Sequence, residues 1–178
     1  MGLILDSSVL ISAERQGQNV RQMLSSLANL LHDTEIAISV VTLIELAHGA
    51  ARADTPQRKN KRKQFIQELL TALPVHSITA SIALRAGQID GNNQAKGLRL
   101  PLSDLLIGVT ALEAGYGVGT SNSSSLSAYS GSVNHADLIG SADICRTGVS
   151  YPSTSLRAGS TRLNSGNTFD IACPSARA

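Results

Sequence analysis

"LILDSSVLI", residues Leu3 to Ile11, sets one aspartate at the end of an apolar run. Up to Asp6 the pattern is that of a short strand. After it come two serines and then apolar residues at helical spacing, so the stretch predicts a strand that turns directly into a helix. An ionised carboxylate withdrawn from water costs several kcal/mol unless it is paired or binds metal. Asp6 is therefore either a helix cap held by its neighbours or an acid placed where a strand opens into a site.

The same alternation continues downstream. "NVRQMLSSLANLL" is an amphipathic helix, and "IAISV" is a second apolar strand. "TLIELAHGAARA" follows as a helix, with Thr42 as its candidate cap and Glu45 placed in its first turn. Thr55-Pro56 opens the helix "TPQRKNKRKQFIQELLTAL" in the cap-then-proline manner. "PVHSI" is a third strand, "TASIALRAGQIDGNNQAKG" a helix, and "PLSDLLIGVTALEAG" another, capped near Leu102 or Ser103 and ended by Gly115. "YGVGT" is the fourth strand. Such alternation predicts an α/β fold, a parallel sheet covered by helices, with its site beyond the C-terminal strand ends.

That layout gathers three acids at one edge. Asp6 ends strand one, Glu45 follows strand two, and Asp104 opens the helix before strand four. Each has a plainer reading: Asp6 as a cap, Glu45 and Asp104 as acids favoured by a helix N-terminus. Taken together, neighbouring carboxylates repel by about 1–4 kcal/mol per pair, depending on the effective dielectric. A divalent cation relieves this, and oxygen-only ligands suit Mg²⁺ or Mn²⁺. The chemistry expected is metal-assisted phosphodiester hydrolysis. Ser7, Ser8 and Ser103 adjoin the acids, as caps or as hydrogen-bond partners of a bound water. His48 is within a turn of Glu45, but both His48 and His76 read better as partly buried structural histidines.

Composition bounds the rest. With 178 residues, 42% hydrophobic and 16% charged, the chain is long enough and apolar enough for an ordinary core. No run of about 18 apolar residues is present, no basic region precedes the first apolar stretch, and Cys145 and Cys173 lack metal-ligand spacing, so a cytoplasmic setting is expected. Net charge is only +2, so nucleic-acid affinity would have to come from a local cluster. "RKNKRK" is such a cluster: Arg58, Lys59, Lys61, Arg62 and Lys63 form either a solvated helix face or a phosphate-binding surface. Aromatics are 3%, which leaves little for base stacking.

"LILDSSVLI", "ISVVTLIELAHGA" and "LPLSDLLIGVTALEAGYGVGTSN" together resemble the PIN-domain ribonucleases, specifically the VapC-type toxins of bacterial toxin–antitoxin pairs. The resemblance covers residues 1–122. It implies a three-layer α/β/α fold and a Mg²⁺-dependent endoribonuclease, with Mn²⁺ as an alternative ion. It also implies a cognate antitoxin and a homodimer. It puts the catalytic and metal-binding roles on Asp6, Glu45 and Asp104, and makes Asn122 a further polar site position. Two other readings compete: a catalytically impaired module that binds an antitoxin, and a haloacid-dehalogenase-like phosphatase with Asp6 as nucleophile. The second wants another aspartate two positions on, where this chain has Ser8.

Past Asn122 the resemblance stops. Residues 120–178 contain no lysine and no glutamate, and fourteen of the 59 are serine. Related toxins continue here with a segment like Asn-Leu-Arg-His-Phe-Gln-x-Ile-Pro-Gly-Leu and a last strand. One coding string for Ser123 to Ser132 is TCT TCG TCA CTT TCA GCT TAT TCC GGG TCT. Read from its second base it gives Leu-Arg-His-Phe-Gln-Leu-Ile-Pro-Gly. The expectation is that 123–178 is an out-of-frame, poorly ordered tail, that the last strand is missing, and that an exposed sheet edge remains.

Overall fold

The computed structural model describes residues 2–31 and 33–121 and, beyond them, the backbone of two strands at 159–162 and 168–172. In chain order the elements are β1 (Gly2–Leu5), α1 (Ser7–Arg15), α2 (Val20–Leu31), β2 (Glu35–Ser39), α3 (Val40–Ala51) and α4 (Pro56–Ala72). They continue with β3 (Val75–His76), α5 (Ala80–Ala95), α6 (Leu102–Ala114), β4 (Tyr116–Thr120), β5 (Gly159–Arg162) and β6 (Thr168–Ala172). The four strands expected from the apolar runs all form. They make a parallel sheet in the order β3-β2-β1-β4, flanked by helices as the α/β reading requires. No helix among the described residues is long and apolar enough to cross a membrane.

All four residues of β1 are buried because the strand is central and covered on both faces. Leu3 and Leu5 point into a cluster with Val9 and Leu10 of α1, Met23 and Leu27 of α2, and Phe65 and Leu69 of α4. Ile4 points the other way, onto Ile107 and Ala111 of α6 and Val118 of β4. A smaller cluster joins Ile82, Ala86 and Ile89 of α5 to Leu105 and Val109 of α6. This strand alternation with helices on each side gives three layers.

Local signals account for most boundaries. Thr55 accepts from the Arg58 amide with Pro56 at the first helical position, and Gly115 ends α6 at φ 70°. Three expectations are corrected. Ser39, not Thr42, caps α3, its hydroxyl accepting from Val41 N–H, so the cap lies three residues earlier. Glu45 consequently lies in the second turn. Thr42 is instead fully buried inside the helix, and its hydroxyl donates to the Leu5 carbonyl at 3.2 Å, riveting α3 to the end of β1. Third, the far edge of β4 is not bare: β6 pairs with it antiparallel (Val118↔Ala172, Thr120↔Asp170), and β5 pairs outside β6.

The chain winds outward from β1 in both directions, to β2 and β3 on one side and β4 on the other. The crevice above β1 and β4 is thus a switch point, where side chains of two strands converge without a crossing connection.

Candidate active site

Asp6 sits at that crevice, 6% exposed, in an extended conformation that makes it the last residue of the strand path and the cap of α1. Its N–H still pairs with Gly119 O of β4 at 2.8 Å. A Cβ at Gly119 would stand 3.2 Å from the side chains of Leu3 and Leu5, so a larger residue there would make both give way.

The cost of burying this carboxylate is met by hydrogen bonds from three residues. Oδ1 accepts from the Ser7 amide at 2.7 Å. Oδ2 accepts from the Ser8 hydroxyl at 2.6 Å and from the Thr120 hydroxyl at 3.0 Å. Ser8 is held in turn by the Ser121 amide, which donates to its Oγ at 3.0 Å. Charge-assisted bonds of this kind are roughly twice as strong as neutral ones. Asp6 is thus the cap of α1, locked with Oδ2 bonded by two hydroxyls while Oδ1 accepts one amide.

Ser7 does a second job. Its N–H faces Asp6, and its hydroxyl donates to Glu45 Oε2 at 2.5 Å. One residue thereby sets two carboxylates from different elements on either side of itself. Asp104 is half-buried in the first turn of α6, which packs back over β1 and β4 and so brings its N-terminus toward the same sheet edge. Its neighbour Ser103 donates to Asp104 Oδ1 at 3.4 Å, a long bond. Among the described residues no three acidic, histidine or cysteine side chains form an ion-binding group. The arrangement is a bridged pair, Asp6 and Glu45, with Asp104 at the same edge outside it.

The remaining candidates divide. Arg58 pairs with Asp54 at 2.7 Å, both about two-thirds exposed, and the guanidinium holds the Asp54 carboxyl below its usual range. Lys59, Lys61 and Lys63 are exposed along α4. Arg62 is not part of that free surface: it donates to Gly49 O at 2.7 Å and lies 3.5 Å from Glu14. His48 is exposed rather than partly buried. His76 is half-buried and meets Tyr116 edge-on with ring centroids 5.3 Å apart. Asn122, Cys145 and Cys173 lie outside the described residues.

Sequence reading missed Thr120: only the register of the folded sheet, with Leu5 opposite Gly119, makes the next residues of the two strands, Asp6 and Thr120, neighbours.

Comparison with known proteins agrees with this fold. Residues 3–124 match the family model described as PIN domain. The fold is similar to that in VapBC2 from Rickettsia felis bound to a promoter DNA fragment, with TM-score 0.55 and 22% identity over 65% of this chain and 84% of that one. It is similar to that in VapBC-5 of Mycobacterium tuberculosis, a member of the VapBC family of toxin–antitoxin systems, with TM-score 0.52 and 23% identity over 68% and 85%. FitAcB from Neisseria gonorrhoeae gives TM-score 0.52 and 21% identity over 69% and 89%. Comparison with curated protein sequences gave no match. With the family model matched across residues 3–124, more than half of the chain, this chain belongs to the PIN-domain family of nucleases.

Proposed function

We propose that the protein is a divalent-metal-dependent endoribonuclease, the VapC-type toxin of a type II toxin–antitoxin pair, cytoplasmic and homodimeric. The observation that carries the reading is the Asp6–Ser7–Glu45 bridge at the β1/β4 switch point. Several of the solved structures sharing the fold are of toxin–antitoxin complexes, which favours a cognate antitoxin as partner.

The donor set fits Mg²⁺ or Mn²⁺. These ions take oxygen ligands, and Mg²⁺ commonly binds through one or two carboxylates while keeping several waters. Asp6 and Glu45 would hold it. When bound, the ion supplies an acidified water and charge neutralisation at the phosphoryl group. The chain's own residues do the rest. Ser8 and Thr120 hold Asp6 Oδ2 and keep the carboxylate in one rotamer. Ser7 orients Glu45. Asp104, at the α6 N-terminus, is the third catalytic acid, with Ser103 beside it and Asn122 as a supporting residue. Lys59, Lys61 and Lys63, with Arg58, give a phosphate-facing surface on α4.

The DNA-level reading of the tail belongs to the same proposal: residues 1–122 are the nuclease domain and 123–178 an out-of-frame extension. The family match runs to residue 124, two positions past the point where the expected motif is lost.

The test is cleavage of RNA by purified protein with Mg²⁺ or Mn²⁺. Activity should vanish with EDTA and in Asp6→Asn. Phosphate release from small monoesters would favour a phosphatase instead. Antitoxin binding without cleavage would favour an inactive module.

A further inference from the structure

α1 and α3 leave adjacent strands β1 and β2 and pack side by side. Near the strand ends they are joined by Ser7 Oγ to Glu45 Oε2. They are joined again at their far ends by a residue of a third helix. Arg62 of α4 donates through Nη1 to the carbonyl of Gly49, four residues beyond Glu45 in α3. Its Nε lies 3.5 Å from the carboxylate of Glu14, seven residues beyond Ser7 in α1. At 1.5 Å per residue the second junction is about 6–10 Å from the first along the helix axes.

The chemistry suits a bracket. Gly49 O is one of the last four carbonyls of α3, which lack a partner within the helix and carry the negative end of its dipole; a guanidinium is the natural donor there. Glu14 is 15% exposed and Arg62 31%, against 66% and 65% for Arg58 and Asp54, so the Arg62 pair is the less screened. Two junctions fix the relative rotation of two helices more tightly than either alone. The Ser7–Glu45 bond depends on that rotation.

We propose that Arg62 is a positioning residue: from the distal ends of α1 and α3 it holds Glu45 in the setting at which Ser7 meets it. The activity readout rests on the nuclease reading above. In the full-length protein, Arg62→Gln is expected to lower kcat for RNA cleavage between about tenfold and a hundredfold with KM unchanged, as misplacement far from the chemistry does. Glu14→Gln, which leaves the Gly49 bond, should lower kcat in the same direction by less. Lys61→Gln is the contrast, expected to raise KM and reduce the slope of log affinity against log salt by about one. If Arg62→Gln instead behaves like Lys61→Gln, with kcat intact, Arg62 is a phosphate ligand and the bracket is overturned. No change in either parameter overturns it too. A wild-type protein that fails to cut RNA defeats the nuclease reading alone. Amide hydrogen exchange then decides the bracket, which requires Arg62→Gln to lose protection in both α1 and α3 while Lys61→Gln loses it in neither.

Discussion

The Thr120 hydroxyl donates to Asp6 Oδ2 at 3.0 Å, linking residues 114 positions apart at the ends of two paired strands. Thr120 is fully buried and Asp6 nearly so, so this bond cannot be replaced by water without rearrangement. Thr120→Val should therefore cost about 1–3 kcal/mol of stability, at the low end because Ser7 and Ser8 still serve the carboxylate. It should also reduce RNA cleavage by about 10–100-fold, as loss of an orienting partner does. Thr120→Ser should retain both. Urea midpoints and initial rates on the three proteins check this.

Removing the bridge isolates Glu45. Ser7→Ala keeps the amide that serves Asp6 and deletes only the hydroxyl on Glu45. Stability should fall by about 0.5–1.5 kcal/mol, with a larger proportional loss in activity that raising Mn²⁺ partly restores. Equal activity at all Mn²⁺ concentrations would remove Glu45 orientation from the mechanism.

Asn93 is 3% exposed on the α5 face that carries Ile82, Ala86 and Ile89, and among the described residues its side-chain NH₂ has no partner. A buried unpaired amide costs about 1–3 kcal/mol. Asn93→Leu should raise the urea midpoint without changing cleavage. A fall in stability would mean that the amide is satisfied.

At the opposite end of the sheet, Tyr116 donates to Glu35 Oε2 at 2.6 Å, its ring crossing over Gly2 where a Cβ would collide with it. The hydrogen bond to Glu35 raises the Tyr116 pKa, with desolvation and the Glu35 charge adding to it. A raised value favours the protonated phenol in the fold. The stabilisation is thus full below about pH 10, the ordinary tyrosine range, and is lost as pH rises through the raised value. Tyr116→Phe should flatten that alkaline limb in pH-dependent urea titrations. A wild-type limb that survives the substitution would assign it elsewhere.

Sequencing the gene at codons 122–132 tests the tail. A single-base shift there should restore Leu-Arg-His-Phe-Gln-Leu-Ile-Pro-Gly, and the restored protein should be more stable and more active. Codons that cannot be read that way in any shifted frame would end the proposal.

Much of the fold was legible because its signals are local. Apolar runs, Thr55-Pro56 and Gly115 each act within a few residues, and they placed four strands and six helices in order. Composition marked the break after Asn122, although not the strands at 159–162 and 168–172, which have no strong period to betray them. The cap of α3 went wrong by three residues because Ser39 and Thr42 are equally good caps on paper; only burial of Thr42 against Leu5 separates them.

By itself the sequence determined that a strand stops at Asp6, since binary pattern fixes where an apolar run ends and an acid begins. It nominated Glu45 and Asp104 on the helices that follow β2 and precede β4, and it could not say how any of the three acids is held. Tertiary structure alone decided that Ser7 serves two carboxylates, that Thr120 reaches Asp6, and that Arg62 spans two helices instead of facing solvent. A hydrogen bond is directional and depends on the meeting of elements far apart in the chain. Strand register and helix rotation set that meeting, and neither is written in the neighbourhood of any one residue.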